Sequence, residues 1–142
     1  MYKIEKTDYG VRLTFAGRVD AHEMTRWLEE SEDVLPGLKR GFCVFVDMRT
    51  LIPLTPDTEH LIKEGQKLYK RMGMERSVVI LASPVITMQF KGIAHETGIY
   101  KWERYIDASS EPNWEQVGLD WLTREIDPDT FVSKSRSTIN RN

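Results

Sequence analysis

Three histidines, one cysteine and a few hydroxyls beside charged residues are the side chains here whose types could catalyse or hold a metal. A zinc-binding helix needs two His four positions apart, and His95-Glu96 has no such second His. His22 and His60 fall in the first turns of separate helices beside acidic residues, where they read as solvated side chains. An acid–base enzyme would need His22, His60 or His95 to meet a carboxylate at hydrogen-bond distance in a cleft. Cys43 lies alone in the apolar run Phe42-Cys43-Val44-Phe45-Val46, where a small thiol packs as a hydrophobe. Gly37 and Gly41 lack the G-x-x-x-x-G-K pattern of a phosphate loop, and no Ser occupies a G-x-S-x-G elbow. The sequence therefore predicts no catalytic residue, no metal site and no cofactor.

Polar groups with binding chemistry gather between positions 49 and 58. Thr55 precedes Pro56 as a helix cap would, and Asp57 favours the positive end of that helix. Arg49 and Thr50, in the preceding loop, are their neighbours, and Arg49 is available to a carboxylate or phosphate. A second set is apolar: Met72, Met74, Met88, Tyr100 and Trp102 are soft or aromatic side chains suited to an apolar pocket or a self-association surface. Trp27, Trp114 and Trp121 fall on apolar helical stripes and read as core. Lys63, Lys67, Lys70 and Arg71 form a basic strip interrupted by Glu59 and Glu64, a pattern that reads as a solvated face.

The elements that must position these residues alternate. Tyr2 to Lys6 and Val11 to Ala16 flank Thr7-Asp8-Tyr9-Gly10 as a β-hairpin. Asp20 and Glu23 form a capping box, opening a helix whose stripe is Ala21, Met24, Trp27, Leu28, Val34 and Leu35. Phe42 to Val46, apolar without alternation, reads as a central strand covered on both faces, with Asp47 at its carboxyl end. A helix from Pro56 to about Met72 follows, with Gly65 on its buried face, then a strand at Val78–Ala82. Ser83-Pro84 starts a third helix to about Glu96, with Ile86, Phe90, Ile93 and Ala94 inward. A strand around Glu103–Ile106 leads to a helix carrying Trp114, Val117, Trp121, Leu122 and Ile126. Helical crossovers between buried strands imply one mixed α/β domain over residues 1–126, mainly parallel, with an antiparallel N-terminal hairpin and about four helices. Residues 127–142 lack a sustained apolar period and are expected to form a flexible tail.

The chain has 142 residues, with 20 Lys+Arg against 22 Asp+Glu and a formal charge of −2. That balance lacks the basic footprint of a nucleic-acid binder. Lys134, Arg136 and Arg141 stand beyond the expected domain, so its body is more acidic than the total. One Cys forms no internal disulfide, and the sequence shows neither a signal-type N-terminus nor an apolar window long enough to span a membrane, so a cytoplasmic protein is expected.

The hairpin followed by a helix, the strand Phe42-Cys43-Val44-Phe45-Val46-Asp47 feeding a loop and a capped helix, and Tyr105-Ile106-Asp107-Ala108 before Trp114 to Trp121-Leu122 together resemble a STAS-type domain of the SpoIIAA-like family. The resemblance runs from about residue 2 to residue 126. It implies an antagonist of anti-sigma factors or a related regulator, with a phosphorylatable hydroxyl at a helix N-terminus after the central strand. The matching stretch here is Leu54-Thr55-Pro56-Asp57-Thr58, without the Asp that the family places before the hydroxyl. Thr55 and Thr58 are the acceptor candidates on that basis.

The expected function is a non-catalytic binding or regulatory module that recognises a protein partner through Arg49, Thr50, Thr55, Asp57 and Thr58, with a phosphorylation input. The alternative is a small-molecule or lipid-binding module with an apolar pocket between the sheet and the second and third helices. A homodimer through the Tyr100–Trp102 segment is compatible with either.

Overall fold

A run such as Phe42–Val46 offers no polar face to water, and its neighbours in space must therefore cover it on both sides. In the computed structural model, which describes residues 1–130, β3 (Cys43–Asp47) is buried at every position. It is the middle of a five-stranded sheet ordered β1 (Tyr2–Lys6), β2 (Gly10–Phe15), β3, β4 (Arg76–Leu81) and β5 (Glu103–Asp107). β1 pairs antiparallel with β2, and every other pairing is parallel. The crossovers are α1 (Ala21–Val34), α2 (Pro56–Arg71) and α3 (Pro84–Thr97), and α4 (Trp114–Arg124) follows β5. The expected mixed α/β architecture, with its antiparallel hairpin and four helices, is what forms.

Sequential strand order sends each crossover of like hand across the same face. Met24 and Trp27 of α1, Tyr69 of α2 and Ala94 of α3 accordingly share one core with Leu13, Phe15, Val44, Val46, Val79 and Leu81. The alternate strand residues Cys43, Phe45, Val78, Ile80 and Ile106 pack with Trp121 and Leu122 of α4 on the other face. Asp20 Oδ1 accepts the Glu23 N–H at 2.8 Å, one half of the expected capping box, while Glu23 turns to the N-terminal ammonium at 3.5 Å. Two glycines set helix depth. A Cβ on Gly65 would lie 2.2 Å from the Trp27 ring, and one on Gly118 2.7 Å from the Phe45 ring.

Three expectations need correction. β4 begins at Arg76, because Arg76 and Ser77 pair with Cys43 and Val44 despite being polar. On α3, Ala94 is buried and Phe90 stands edge-to-face with Tyr105 at 5.8 Å, but Ile86 and Ile93 are exposed and Thr87 is buried instead. The helix carries two overlapping apolar stripes, and its seat on β5 selects the one through Thr87, Phe90 and Ala94. Nor does the chain come free at Ile126. Asp127 receives Arg104 Nε and Nη2 at 2.9 and 3.1 Å, Asp129 receives Lys91 Nζ at 3.0 Å and the Tyr100 hydroxyl, and Pro128 is buried. The rest of the expected tail, with Lys134, Arg136 and Arg141, lies outside the described residues. No helix among the described residues is long and apolar enough to cross a membrane.

Gly65→Ala tests the close approach of α1 and α2. Alanine favours an isolated helix by about 1 kcal/mol, yet its methyl must displace Trp27, and overpacking of this kind costs roughly 1–3 kcal/mol. A lower urea midpoint is expected, and a raised one would show that Trp27 moves aside freely.

Candidate functional site

Parallel strands in one sheet present their carboxyl ends on one edge, where the following loops and helix N-termini meet. At that edge β3 ends in Asp47, only 7% exposed. A buried carboxylate requires charged or hydrogen-bonding partners, and two arginines supply them. Arg49 donates through Nε to Oδ1 and through Nη2 to Oδ2, both at 3.0 Å, and its backbone N–H donates to Oδ1 at 3.1 Å. Arg12 of β2 approaches Oδ2 at 3.8 Å and pairs with Glu115 of α4 at 2.6 Å. The guanidinium of Arg49 stacks 4.1 Å from the Trp114 ring, and that of Arg12 lies 4.8 Å from Phe45. Burial pushes the Asp47 carboxyl up, but the hydrogen bonds and charge of Arg49, helped by Arg12, more than offset it and hold the group below its usual range. The result is an exposed arginine fixed in a fork and against an aromatic plane, chemistry suited to a partner's surface.

The loop then runs through Thr50 and Ile52, both exposed, to the start of α2. Thr55 occupies the N-cap position in extended conformation, as expected, but its hydroxyl does not cap the backbone. It donates to Asp57 Oδ1 at 2.5 Å and lies 3.0 Å from the Thr58 hydroxyl. The Thr55 bond holds the Asp57 carboxyl below its usual range. Pro56 at the first helical position favours the extended backbone that Thr55 adopts. Thr58 is fully buried, which removes it as an acceptor in the folded chain, whereas Arg49, Thr50, Thr55 and Asp57 are exposed. The structure thus keeps four of the five expected residues on one accessible loop and helix start.

Of the apolar set, Met72, Met74, Tyr100 and Trp102 lie in or against one core cluster, and Met88 stands apart. Met74 is buried behind α2, Met72 is half-buried, and Met88 stands 69% exposed on α3 beside Val85 and Ile93. Trp102 is half-buried under the Lys70 ammonium, 4.2 Å from its ring centre. Tyr100 stacks on His95 and on Arg104 and donates to Asp129, so burial and that carboxylate push its hydroxyl pKa up. Of the five, Met74 lines a cavity, which lies under α2. The three histidines are exposed, each on a different helix, and His60 stays 4.0 Å from Glu64. Among the described residues no His meets a carboxylate in a cleft. Among the described residues no group of three or more His, Cys, Asp or Glu is placed to hold a metal ion.

Arg12, Trp114 and Glu115 escaped the sequence reading as site residues. Arg12 falls within the Val11–Ala16 arm of the hairpin and Trp114 on an apolar helical stripe, and nothing in linear spacing brings positions 12, 47, 49 and 114 together.

An antiparallel edge hairpin running into parallel strands in sequential order, three crossover helices on one face and a closing helix on the other define a SpoIIAA-like fold. Two solved structures share it. An uncharacterized protein of the DUF3478 family with a SpoIIAA-like fold, from Shewanella loihica PV-4, matches with a TM-score of 0.62 and 15% identity over 86% of this chain and 92% of its own. The anti-sigma factor antagonist SpoIIAA in its unphosphorylated form matches with a TM-score of 0.56 and 14% identity over 82% of this chain and 97% of its own. The resemblance to a STAS-type, SpoIIAA-like domain is borne out in the fold. No family model and no curated protein matches the sequence.

Asp47→Asn keeps the shape of this cluster and removes its charge. At neutral pH it is expected to lower stability by about 1–2 kcal/mol, a modest figure because Arg49 is partly exposed and screened. A carboxyl whose folded pKa is depressed contributes stability above its unfolded pKa and loses it as pH falls through the folded one. The wild type and the variant should therefore converge in thermal midpoint below about pH 4, the ordinary Asp range; a constant gap across that range would contradict the charge assignment.

Proposed function

We propose that this protein is a non-catalytic regulatory module of the cytoplasm that recognises a protein partner through residues 49–58, with Thr55 as the hydroxyl that a kinase modifies. The observation that carries the reading is the state of Thr55, which is exposed at the N-cap of α2 with its hydroxyl bound to Asp57 and spared from capping the backbone. Modification at such a position leaves the helix hydrogen bonds intact. It replaces the Thr55–Asp57 bond with about −1.5 to −2 units of charge at pH 7, beside the Asp57 carboxylate at the positive end of α2. The surface would change sign and shape locally while the fold stays in place.

Arg49 gives the same surface an anchor, since its side chain is held by Asp47 and Trp114 before any partner arrives. Little side-chain entropy is then left to lose on binding. The name of the solved SpoIIAA structure, an anti-sigma factor antagonist in unphosphorylated form, supports partner recognition under phosphate control as a use of this fold. Burial of Cys43, whose thiol pKa is pushed up by desolvation, suits a reducing compartment in which the thiol serves packing alone.

Affinity capture from the native host, quantified by mass spectrometry, tests the proposal with Thr55→Glu, Arg49→Ala and, on the exposed face of α4, Thr123→Glu. A protein retained by the wild type and by Thr123→Glu, and reduced at least tenfold by Thr55→Glu and Arg49→Ala, is the expected result. Equal recovery by all variants would place recognition elsewhere.

A further inference from the structure

The two edges of the sheet are not alike. β5 is buried at Glu103, Arg104, Tyr105 and Ile106, and its Arg104 holds Asp127, whereas beyond β1 no further strand pairs among the described residues. The alternation of antiparallel bonds says which backbone groups the β1 edge leaves free. Met1 exchanges both bonds with Ala16, at 2.7 and 2.9 Å, and the Thr7 N–H donates to the Gly10 carbonyl at 2.9 Å. With Lys3 opposite Thr14 and Glu5 opposite Arg12, the odd positions turn their N–H and C=O groups to β2, and Tyr2, Ile4 and Lys6 turn theirs outward. An edge of this kind is a template for a further strand.

The side chains of β1 select what can pair there. Tyr2 and Ile4 are half-buried against the core beneath the helices, so the exposed Lys3 and Glu5, 3.6 Å apart, lie on the opposite face. A second β1 laid antiparallel must set even positions against even ones for the free groups to bond. Centring on Lys3 places it opposite Lys3 of the second copy, and centring on Glu5 places two carboxylates opposite each other. Like charges directly opposite destabilise a pair of strands. Centring on Ile4 instead pairs Lys3 with Glu5 of the second copy, twice by symmetry, and sets the two Ile4 side chains side by side. It also brings Lys6 of the second copy next to Tyr2, whose hydroxyl reaches Glu30 of α1 at 2.9 Å. Charges on an edge strand commonly turn other strands away, but these reject the neighbouring registers and favour one.

We propose that β1 is a self-association edge, on which a second copy of this chain adds its own β1 antiparallel with the two-fold axis at Ile4. Tyr2, Ile4 and Lys6 of each copy exchange backbone bonds with Lys6, Ile4 and Tyr2 of the other, and the two sheets become one. This edge takes the place of the Tyr100–Trp102 segment as the dimer surface, since Tyr100 and Trp102 are packed against the core. The axis stands perpendicular to the sheet, so the helices α1 to α3 of both copies cover the same face and the two carboxyl edges point opposite ways. Residues 49–58 stay accessible in each copy, and the pairing does not depend on what they bind. A five-residue strand is about 17 Å long, short for the ~1,600 Å² of a standard stable interface, so association is reversible and concentration-dependent.

Sedimentation equilibrium of the full chain from about 1 μM to about 1 mM tests the pairing. The wild type is expected to pass from monomer toward dimer over that range. Lys3→Glu and Glu5→Lys each turn two attractive pairs into two repulsive ones and should weaken association at least tenfold, while the two substitutions combined restore it at unchanged net charge. Met88→Lys, on the exposed apolar side of α3, should associate like the wild type. Amide hydrogen exchange gives a second measure that needs no variant. The Ile4 and Lys6 N–H groups should exchange at least tenfold more slowly in the dimer, while those of Lys3 and Glu5, bound to β2 in both states, stay unchanged. A monomer at every concentration, single charge variants that associate like the wild type, a folded double variant that stays monomeric, loss of association in Met88→Lys, or Ile4 and Lys6 amides indifferent to concentration would each overturn the proposal.

Discussion

Burial of β3 on both faces is the constraint from which the remaining architecture follows. A strand with Val44 and Val46 on one side and Cys43 and Phe45 on the other cannot lie at the surface of a sheet. Strands must flank it and helices must cover each face. Sequential strand order places all three crossovers on one side, so the face carrying Phe45 would stand open without a helix beyond the last strand. α4 fills that place, and it fits closely because Gly118 lets its backbone approach the Phe45 ring. The same helix brings Trp114 and Glu115 to the strand ends, where they meet Arg49 and Arg12. A structural requirement on one strand thereby assembles the charged cluster at the sheet's edge.

The polar groups are separated by the two-residue period of the strands. Asp47 points toward the α4 face and finds two arginines, whereas Ser77 and Glu103 point toward α2 and find only hydroxyls. One carboxyl is consequently held low and ionised, and the other is pushed up toward its neutral form. Their difference comes from surroundings and not from residue type, since exposed carboxyls of Asp and Glu differ by only ~0.4 pKa unit. The edge cluster suits recognition by a charged or polar surface.

Element order and type were legible along the chain because each helix declares itself by period and punctuation. Asp20, Thr55-Pro56 and Ser83-Pro84 mark starts, and the unbroken apolar run at β3 marks a strand covered twice. The candidate loop was legible in the same local sense, since Arg49, Thr50, Thr55 and Asp57 lie within one connection. Its inner organisation was not. Thr58 reads in sequence like Thr55, yet one is buried and the other exposed, because that depends on which side of the first helical turn faces the body. The soft and aromatic set from Met72 to Trp102 looked like one surface through shared chemistry, but packing draws Met72, Met74, Tyr100 and Trp102 into or against the core and leaves Met88 exposed.

The sequence by itself determined the fold class, the order of strands and helices, and the connection that holds an exposed threonine at a helix start, because these rest on interactions within a few residues of the chain. Tertiary structure decided everything that requires two distant segments to meet. It selected between two apolar stripes on α3, carried the polar Arg76 and Ser77 into the ladder, and tied Asp127 and Asp129 to residues more than twenty positions earlier. It also set Glu103 beside Ser77 beneath α2. Burial, pairing and charge state at these positions depend on the packing of the whole sheet, and no local spacing encodes them.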